Sequence, residues 1–386
     1  AWVKSALLEL WNSPTCFSDQ VPSITSAKIN HNPTSFQMLF FLAKLGCRKV
    51  IKYIKNLLFY SAWNIAIIRT SVKKVDVSKA EWLPECDWPY FQADPFGELG
   101  QILLEEFNYK LDIGKIKTIS LDSKNRETSR QDFTDSDRHH SYPFIFKSKE
   151  GDFVIPESLQ RKKTVLYRLD SGIIEGELLE GIPVVDPSIH FDGKLYWLFC
   201  TCSTSMNDGN ASLFLFFSKN LRGPFKPHLL NPVKSDVRCS RPAGSFFYMD
   251  GKLHRPAQDC SRTYGGAICI MRIEKLSITE FEERAVRRIE PIAPYNAGSH
   301  HLTSFGDSAC LIDGKRYAFS MSRIFWKIFH SRSSLKTLNL LPIDSYFTLS
   351  IKSWHPYVKT KGVYEDGWCT QSCILAFKIT CEMRLT

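Results

Sequence analysis

An all-β fold, a five-bladed β-propeller behind a helical N-terminal extension, is predicted by three features of the 386-residue sequence. The hydrophobic period changes near residue 60 from the 3.6 of a helix to the alternation of strands. A unit of polar residues, apolar strand, Gly turn and second strand then recurs five times. Three of the turns read Asp-Gly-Lys, and Asp-Gly between apolar runs marks a hairpin because a tight primed turn needs the positive φ that Gly adopts at little cost.

Residues 1–60 form the extension: in "SFQMLFFLAKLGCRKVIKYIKNLLF" Phe36, Leu39, Phe40, Leu42, Ala43 and Leu45 recur near the helical period, with basic residues on the other face. Residues 61–330 carry the repeats "ADPFGELGQILLEEF", "SYPFIFKSKEGDFVIPES", "DPSIHFDGKLYWLFCTCS", "SRPAGSFFYMDGKLHRPAQDCS" and "SHHLTSFGDSACLIDGKRYAFSMS". From Pro95 to Pro143, Pro187, Pro242 and His300 the steps are 48, 44, 55 and 58 residues, the size of a four-stranded blade. The turns Asp192-Gly193-Lys194, Asp250-Gly251-Lys252 and Asp313-Gly314-Lys315 are read as structural. Residues 331–386 match no repeat. A ring closes by pairing strands from both ends, so part of 62–90 or 323–386 is expected to complete the last blade.

Composition narrows the function. With 44% hydrophobic and 13% aromatic residues the chain can bury a substantial core. The net charge is +10, and the basic cluster Arg48, Lys49, Lys52 and Lys55 suits an anionic partner or the solvated face of an amphipathic helix; no nucleic-acid partner is expected. The twelve cysteines lack zinc-site spacing, so neither a structural metal nor a cofactor is expected. The most apolar early stretch, "MLFFLAKLG", is far short of the ~20 residues of a membrane span. Reduced thiols and a cytoplasmic location are expected, with peripheral membrane contact left open by the first 60 residues.

Innermost blade strands all run the same way, and the first residue of one strand lies beside the last residue of its antiparallel partner. The polar ends of the five units should therefore meet at one mouth: Asp94 with Glu105 and Glu106, Tyr142 with Glu157, Asp186 with Thr201, Arg241 with Gln258 and Asp259, and His300 with His301. Facing carboxylates are what glycosidic cleavage requires, one protonated to assist the leaving oxygen and one ionised as base or nucleophile. Asp94 is assigned as base, Asp186 as the acid that modulates pKa or orients substrate, and Glu157 as proton donor, with Asp259 and Glu106 as competitors. Glu106, Tyr142, Arg241, Gln258, Asp259, His300 and His301 make up the substrate-binding ring, Arg241 able to clamp a carboxylate or phosphate. Each assignment has a plainer rival: Asp before Pro starts turns, and adjacent histidines often only pack.

The stretches "ADPF", "EEF", "SYPF", "IPES", "DPSI", "LFFSKNLRGPFKPHLLNPV", "SRPAG", "RPAQDCSRTYGGAI" and "GSHHL", in that order, resemble the propeller domain at the N-terminus of plant glucosamine inositolphosphorylceramide transferases and of stand-alone bacterial proteins. That domain is related in fold to glycoside hydrolase family 43, and the likeness covers roughly residues 62–320. It implies a carbohydrate-directed fold, with an oligosaccharide or glycolipid as substrate. By analogy Asp94 falls at the family 43 base and Asp186 at its second acid, whereas Glu157 precedes that acid instead of following it. In the plant proteins transfer belongs to a separate downstream domain, for which the 66 residues after the likeness are too few. The alternative is a non-catalytic glycan-binding module serving a glycosyltransferase partner.

Overall fold

The computed structural model describes residues 32–334 except 99, 123, 125, 135–137, 159–161 and 204–208, with Glu98 and residues 331–334 described by backbone alone. Residues 1–31 of the extension and 335–386 of the tail, including any blade-closing role for the tail, lie outside the described residues.

Helix α1 (Ser35–Leu58) is opened by a capping box, in which Thr34 Oγ1 accepts from the Gln37 N–H and Gln37 Oε1 accepts from the Thr34 N–H. It runs directly into β1 (Phe59–Ile68), and β2 (Ala80–Trp82) follows. Blade I comprises β3 (Tyr90–Glu98), β4 (Gln101–Asn108), β5 (Ile113–Leu121) and β6 (Glu127–Asp132). Blade II comprises β7 (Ser141–Ser148), β8 (Gly151–Glu157), β9 (Lys163–Arg168) and β10 (Ile174–Glu180). In blade III, β11 (Val184–Phe191), β12 (Tyr196–Cys202) and β13 (Ser212–Ser218) are flanked by the short β14 (Lys226–Pro227) and β15 (Lys234–Ser235). Blade IV is β16 (Phe247–Met249), β17 (Lys252–Asp259), β18 (Ala267–Leu276) and β19 (Phe281–Ile289). Blade V closes the ring: β20 (Leu302–Ser304) and β21 (Cys310–Phe319) pair with β1 and β2 from the start of the chain. Helix α2 (Met321–Ser334) ends the described chain. No helix among the described residues is long and apolar enough to cross a membrane.

Why the blades stack follows from strands buried on both faces. In "ILL" of β4 the period of two sends Ile102 and Leu104 against Ile65, Ile67 and Leu311 of blade V, and Leu103 against Val154 and Val165 of blade II. Equivalent apolar clusters join blades II and III (Phe153, Ile155, Ile189, Leu198), III and IV (Trp197, Phe199, Leu253, Ile273), and IV and V (Ile268, Ile270, Leu302, Ile312). Each blade is thus held by its neighbours, and the inner strands are left only as short, protected edges along the channel.

One repeat was misaligned by its turn. Asp192-Gly193 lies between β11 and β12 and Asp250-Gly251 between β16 and β17, both at hairpin turns with positive φ at Gly193, Asp250 and Gly251. Asp313-Gly314-Lys315 instead lies inside β21, and the blade V turn is formed by residues 305–309, closed by the Phe305 N–H to Ala309 O bond at 2.9 Å. Gly314 is there for space: a Cβ would lie 2.4 Å from Trp82 Cη2 and 2.6 Å from Tyr295 Cβ.

Candidate functional site

Three inner strands carry the same defect at the same end. The β3–β4 register slips between Ala93 and Phe96, β7–β8 between Ser141 and Phe144, and β11–β12 between Val185 and Ser188. The bulged residues Asp94, Tyr142 and Asp186 take φ of 49°, 47° and 50°, and each precedes a proline. Proline has no N–H to lose from the ladder, so a bulge there sacrifices little pairing. The left-handed backbone costs roughly 1–3 kcal/mol per site but turns the side chain into the channel. Blade IV replaces the bulge with an isolated bridge, Pro242 to Ala257, placing Arg241 next in the ring, and blade V supplies His300 and His301.

These side chains form a buried, mutually bonded network. Arg241 Nε lies 2.6 Å from Asp186 Oδ2 and its Nη2 lies 3.2 Å from Asp186 Oδ1, a two-point clamp joined by Gln258 Nε2 at 2.8 Å from Asp186 Oδ2. Glu157 Oε2 accepts from the Asp186 N–H at 3.2 Å and lies 3.9 Å from Arg241 Nη2. Asn210 Oδ1 accepts from Arg241 Nη1 at 2.9 Å, and the Arg241 guanidinium lies 5.1 Å from the Tyr264 ring centre. Asp94 Oδ1 lies 3.9 Å from His300 Nε2 and 3.6 Å from His301 Nδ1. His300 is ion-paired through Nδ1 to Asp313, whose Oδ1 accepts from the His300 and His301 N–H groups at 2.8 and 3.0 Å. Trp63 stacks on His300 with centroids 4.0 Å apart, and Lys315 Nζ lies 4.9 Å from the Trp63 ring centre.

Electrostatics divide the acids. Burial would raise the Asp94 pKa, but His300, His301 and Arg241 outweigh it and hold the carboxyl below its ordinary value. Burial, reinforced by Asp94, Glu157 and Asp186, drives Glu105 well above the usual range; burial and then Asp186 do the same for Glu157. His300 is lowered by burial and raised by Asp313 and Asp94, with a net rise. Burial brings Lys315 down to about 8.

Of the residues singled out in the sequence, the structure gathers Asp94, Asp186, Glu157, Arg241, Gln258, His300 and His301 at one mouth. Tyr142 lies deeper, its OH 2.9 Å from Ser188 Oγ and accepting from the Gly244 N–H at 2.7 Å, so it is a strut between blades rather than a ring surface. Two residues depart from the expected ring. Glu106 faces away from it, bound to Arg130 at 2.7 Å and 3.5 Å from Lys117, because strand alternation gives the channel side to Glu105. Asp259 is bound to Arg288 of β19 and to the Ser261 N–H, outside the network. Sequence reading missed Asp313, Lys315, Trp63 and Tyr264; the first two were hidden by the apparent Asp-Gly-Lys turn. Among the described residues, Asp94, His300 and Asp313 bring one potential metal-ligand atom each within 4.8 Å of one another.

A separate cavity of about 1090 Å³ lies at the other pole, lined by the far ends of the inner strands, among them Gly97, Phe146, Phe191 and Ser304, and by Tyr196 at the start of β12. Phe96, Tyr142 and Phe144 are packed edge-on or stacked between the two ends.

Residues 107–293 match the family model described as glucosamine inositolphosphorylceramide transferase 1, N-terminal. These residues belong to that domain family. Glucosamine inositolphosphorylceramide transferase 1 of Oryza sativa subsp. japonica is 37% identical over 152 residues, 38% of this chain and 20% of the rice protein. Its Arabidopsis thaliana counterpart is 34% identical over 151 residues, again 38% and 20%. The match therefore spans about a fifth of those relatives' length. Among solved structures, the catalytic domain of a Coprinopsis cinerea GH62 α-L-arabinofuranosidase overlaps 68% of this chain and 99% of its own at 12% identity and TM-score 0.42. A family 117 glycoside hydrolase of Zobellia galactanivorans overlaps 66% and 91% at 11% identity and TM-score 0.40. Overlaps this loose bear on neither mechanism nor substrate.

Proposed function

We propose that the acid-lined mouth binds a saccharide and cleaves a glycosidic bond, with Asp94 as the ionised carboxylate, Glu157 as the proton donor and Asp186 as the acid that raises the Glu157 pKa. The observation that carries this is the gathering of three buried carboxyls, Asp94, Asp186 and Glu157, at one mouth; their electrostatics point the same way, with Asp94 held below its ordinary value and Glu157 driven well above its own. Glycoside cleavage needs one acid in each state at the working pH. The carbohydrate direction is supported by the domain family, whose relatives bear the name of a glycolipid transferase.

A glycan-binding role without cleavage is favoured by one observation, the saturation of Asp186 by Arg241 and Gln258. Turnover on a panel of glycans decides between the two. Asn tolerates the left-handed backbone at position 94 as Asp does, so Asp94→Asn and Glu157→Gln preserve the site. Each should lower turnover by about 10²–10⁴-fold with binding retained. Turnover unchanged in both variants would remove the catalytic site, and wild-type binding without turnover would select the binding module.

A further inference from the structure

We propose that the acid mouth faces an anionic lipid surface, on which helix α1 lies.

The register of blade V supplies the first half. Asp313 lies at the mouth, bonded to the His300 and His301 N–H groups, and pairs with Ile65 in β1. From that rung the β1–β21 ribbon continues six residues further on each strand, to Phe59 opposite Phe319. At ~3.3 Å per residue the ribbon projects about 20 Å beyond the acids. Helix α1 enters this tip and α2 leaves it, so both helices are joined to the propeller at the pole of the acid mouth. The two are tied together: Arg323 Nη1 donates to Leu57 O at 2.9 Å and Lys327 Nζ to Asn56 O at 3.0 Å, satisfying carbonyls at the α1 C-terminus.

Chemistry supplies the second half. No residue of α1 is buried, and its apolar side chains, including Phe36, Leu39, Phe40, Val50 and Ile54, lie in solvent. Five basic residues (Lys44, Arg48, Lys49, Lys52, Lys55) and no acid complete the helix. Arg48, Lys52 and Lys55 line a cavity of about 690 Å³ with Arg323, Tyr60 and Tyr109, a basic, aromatic-floored recess of head-group size. Aromatic side chains crowd the same tip, with Tyr53 70%, Tyr317 60%, Phe319 55% and Phe325 54% exposed. Basic residues beside an exposed apolar face, with aromatic rings at the boundary, are what an interfacial helix presents to anionic lipid. A polyanion such as RNA would use the charges but leave the apolar face in water.

Sedimentation of the full chain with vesicles tests this. Phosphatidylcholine vesicles containing phosphatidylserine should carry the protein down, whereas pure phosphatidylcholine should not, and added salt should release it. Arg48→Glu, Lys52→Glu and Lys55→Glu should each weaken vesicle affinity at least about fivefold. Hydrogen exchange on the vesicle should slow at 59–61 and 316–319 and stay unchanged at the opposite-pole turns around Gly193 and Gly251. Asp94→Asn should bind vesicles as the wild type does, so loss of catalysis and loss of docking are read separately. Equal binding to neutral vesicles, protection of the far turns, preference for an RNA duplex over vesicles, or no vesicle binding at all would overturn the proposal.

Discussion

Asp186→Asn exposes how the mouth is held together. The substitution keeps shape but removes the charge that Arg241 clamps through two contacts of 2.6 and 3.2 Å, between side chains only 2% and 13% exposed. It also turns an amide N–H₂ towards either the guanidinium or Gln258 Nε2, donor against donor. Breaking a buried ion pair from one side costs about 3–5 kcal/mol, because the remaining charge stays desolvated. Part is recoverable: Glu157 Oε2 lies 3.9 Å from Arg241 Nη2 and, freed of the Asp186 charge, can ionise in its place. The loss should therefore fall near the lower end, about 3 kcal/mol. At roughly 2–4 °C per kcal/mol for a domain of this size, the melting temperature should drop by about 6–12 °C at neutral pH. Scanning calorimetry reads it directly. The pair Asp186→Asn with Arg241→Met, which empties the site of both charges, should recover most of the loss. A single-variant loss below about 1 kcal/mol, or a double variant no better than the single, would refute the buried-clamp account.

Further outcomes follow from the same network. Glu157 has a folded pKa above its unfolded value, so the native state holds the extra proton and stability falls, by up to about 1.4 kcal/mol per pH unit, as pH rises above the ordinary glutamate range; urea titrations of Glu157→Gln should lack that contribution. Asp313→Asn keeps an acceptor for the His300 and His301 N–H groups but removes the charge that raises the His300 pKa. A raised histidine stabilises most below its unfolded pKa of about 6.5 and loses that contribution as pH rises through the folded value, so this variant should lose more stability in acid than in alkali. Gly314→Ala meets Trp82 and Tyr295 at 2.4 and 2.6 Å and should cost at least about 1–3 kcal/mol. At Gly251, where φ is +71° and nothing lies within 4 Å, alanine should cost only the backbone strain, about 1 kcal/mol.

Local pattern and global placement were legible to different degrees. Blade number came from repeats because each blade is built from local hairpins whose turns and alternation are written within about fifty residues. The gathering of Asp94, Asp186 and His300 could be anticipated because a closed ring fixes which strand ends meet. What escaped were facts that depend on one residue of register. Glu105 and Glu106 are adjacent, and only the pleat decides which carboxyl enters the channel. Asp-Gly-Lys reads alike at 250–252 and 313–315, yet the first is a turn and the second a stretch of strand squeezed against Trp82. The bulges at Asp94, Tyr142 and Asp186 were also invisible, since an Asp-Pro or Tyr-Pro pair records the missing N–H but not the sign of φ.

Those three bulges do not by themselves mark catalysis, as their different uses show. Tyr142 spends its costly backbone on bonds to Ser188 and the Gly244 N–H, fastening blade II to blades III and IV. Asp186 spends it on Arg241, which fastens blade III to blade IV and leaves the carboxylate fully occupied. Asp94 has neither a strut to form nor a guanidinium to clamp: the His301 and His300 imidazoles stand at 3.6 and 3.9 Å, and against the pull of burial they and Arg241 hold its carboxyl below the ordinary value. A strained, buried carboxylate kept charged yet unclamped gains least for the fold from its position, because the backbone strain and the desolvation of the charge are offset by no short contact. That imbalance, more than the acidity of the mouth as a whole, is why we propose residue 94 as the reactive group.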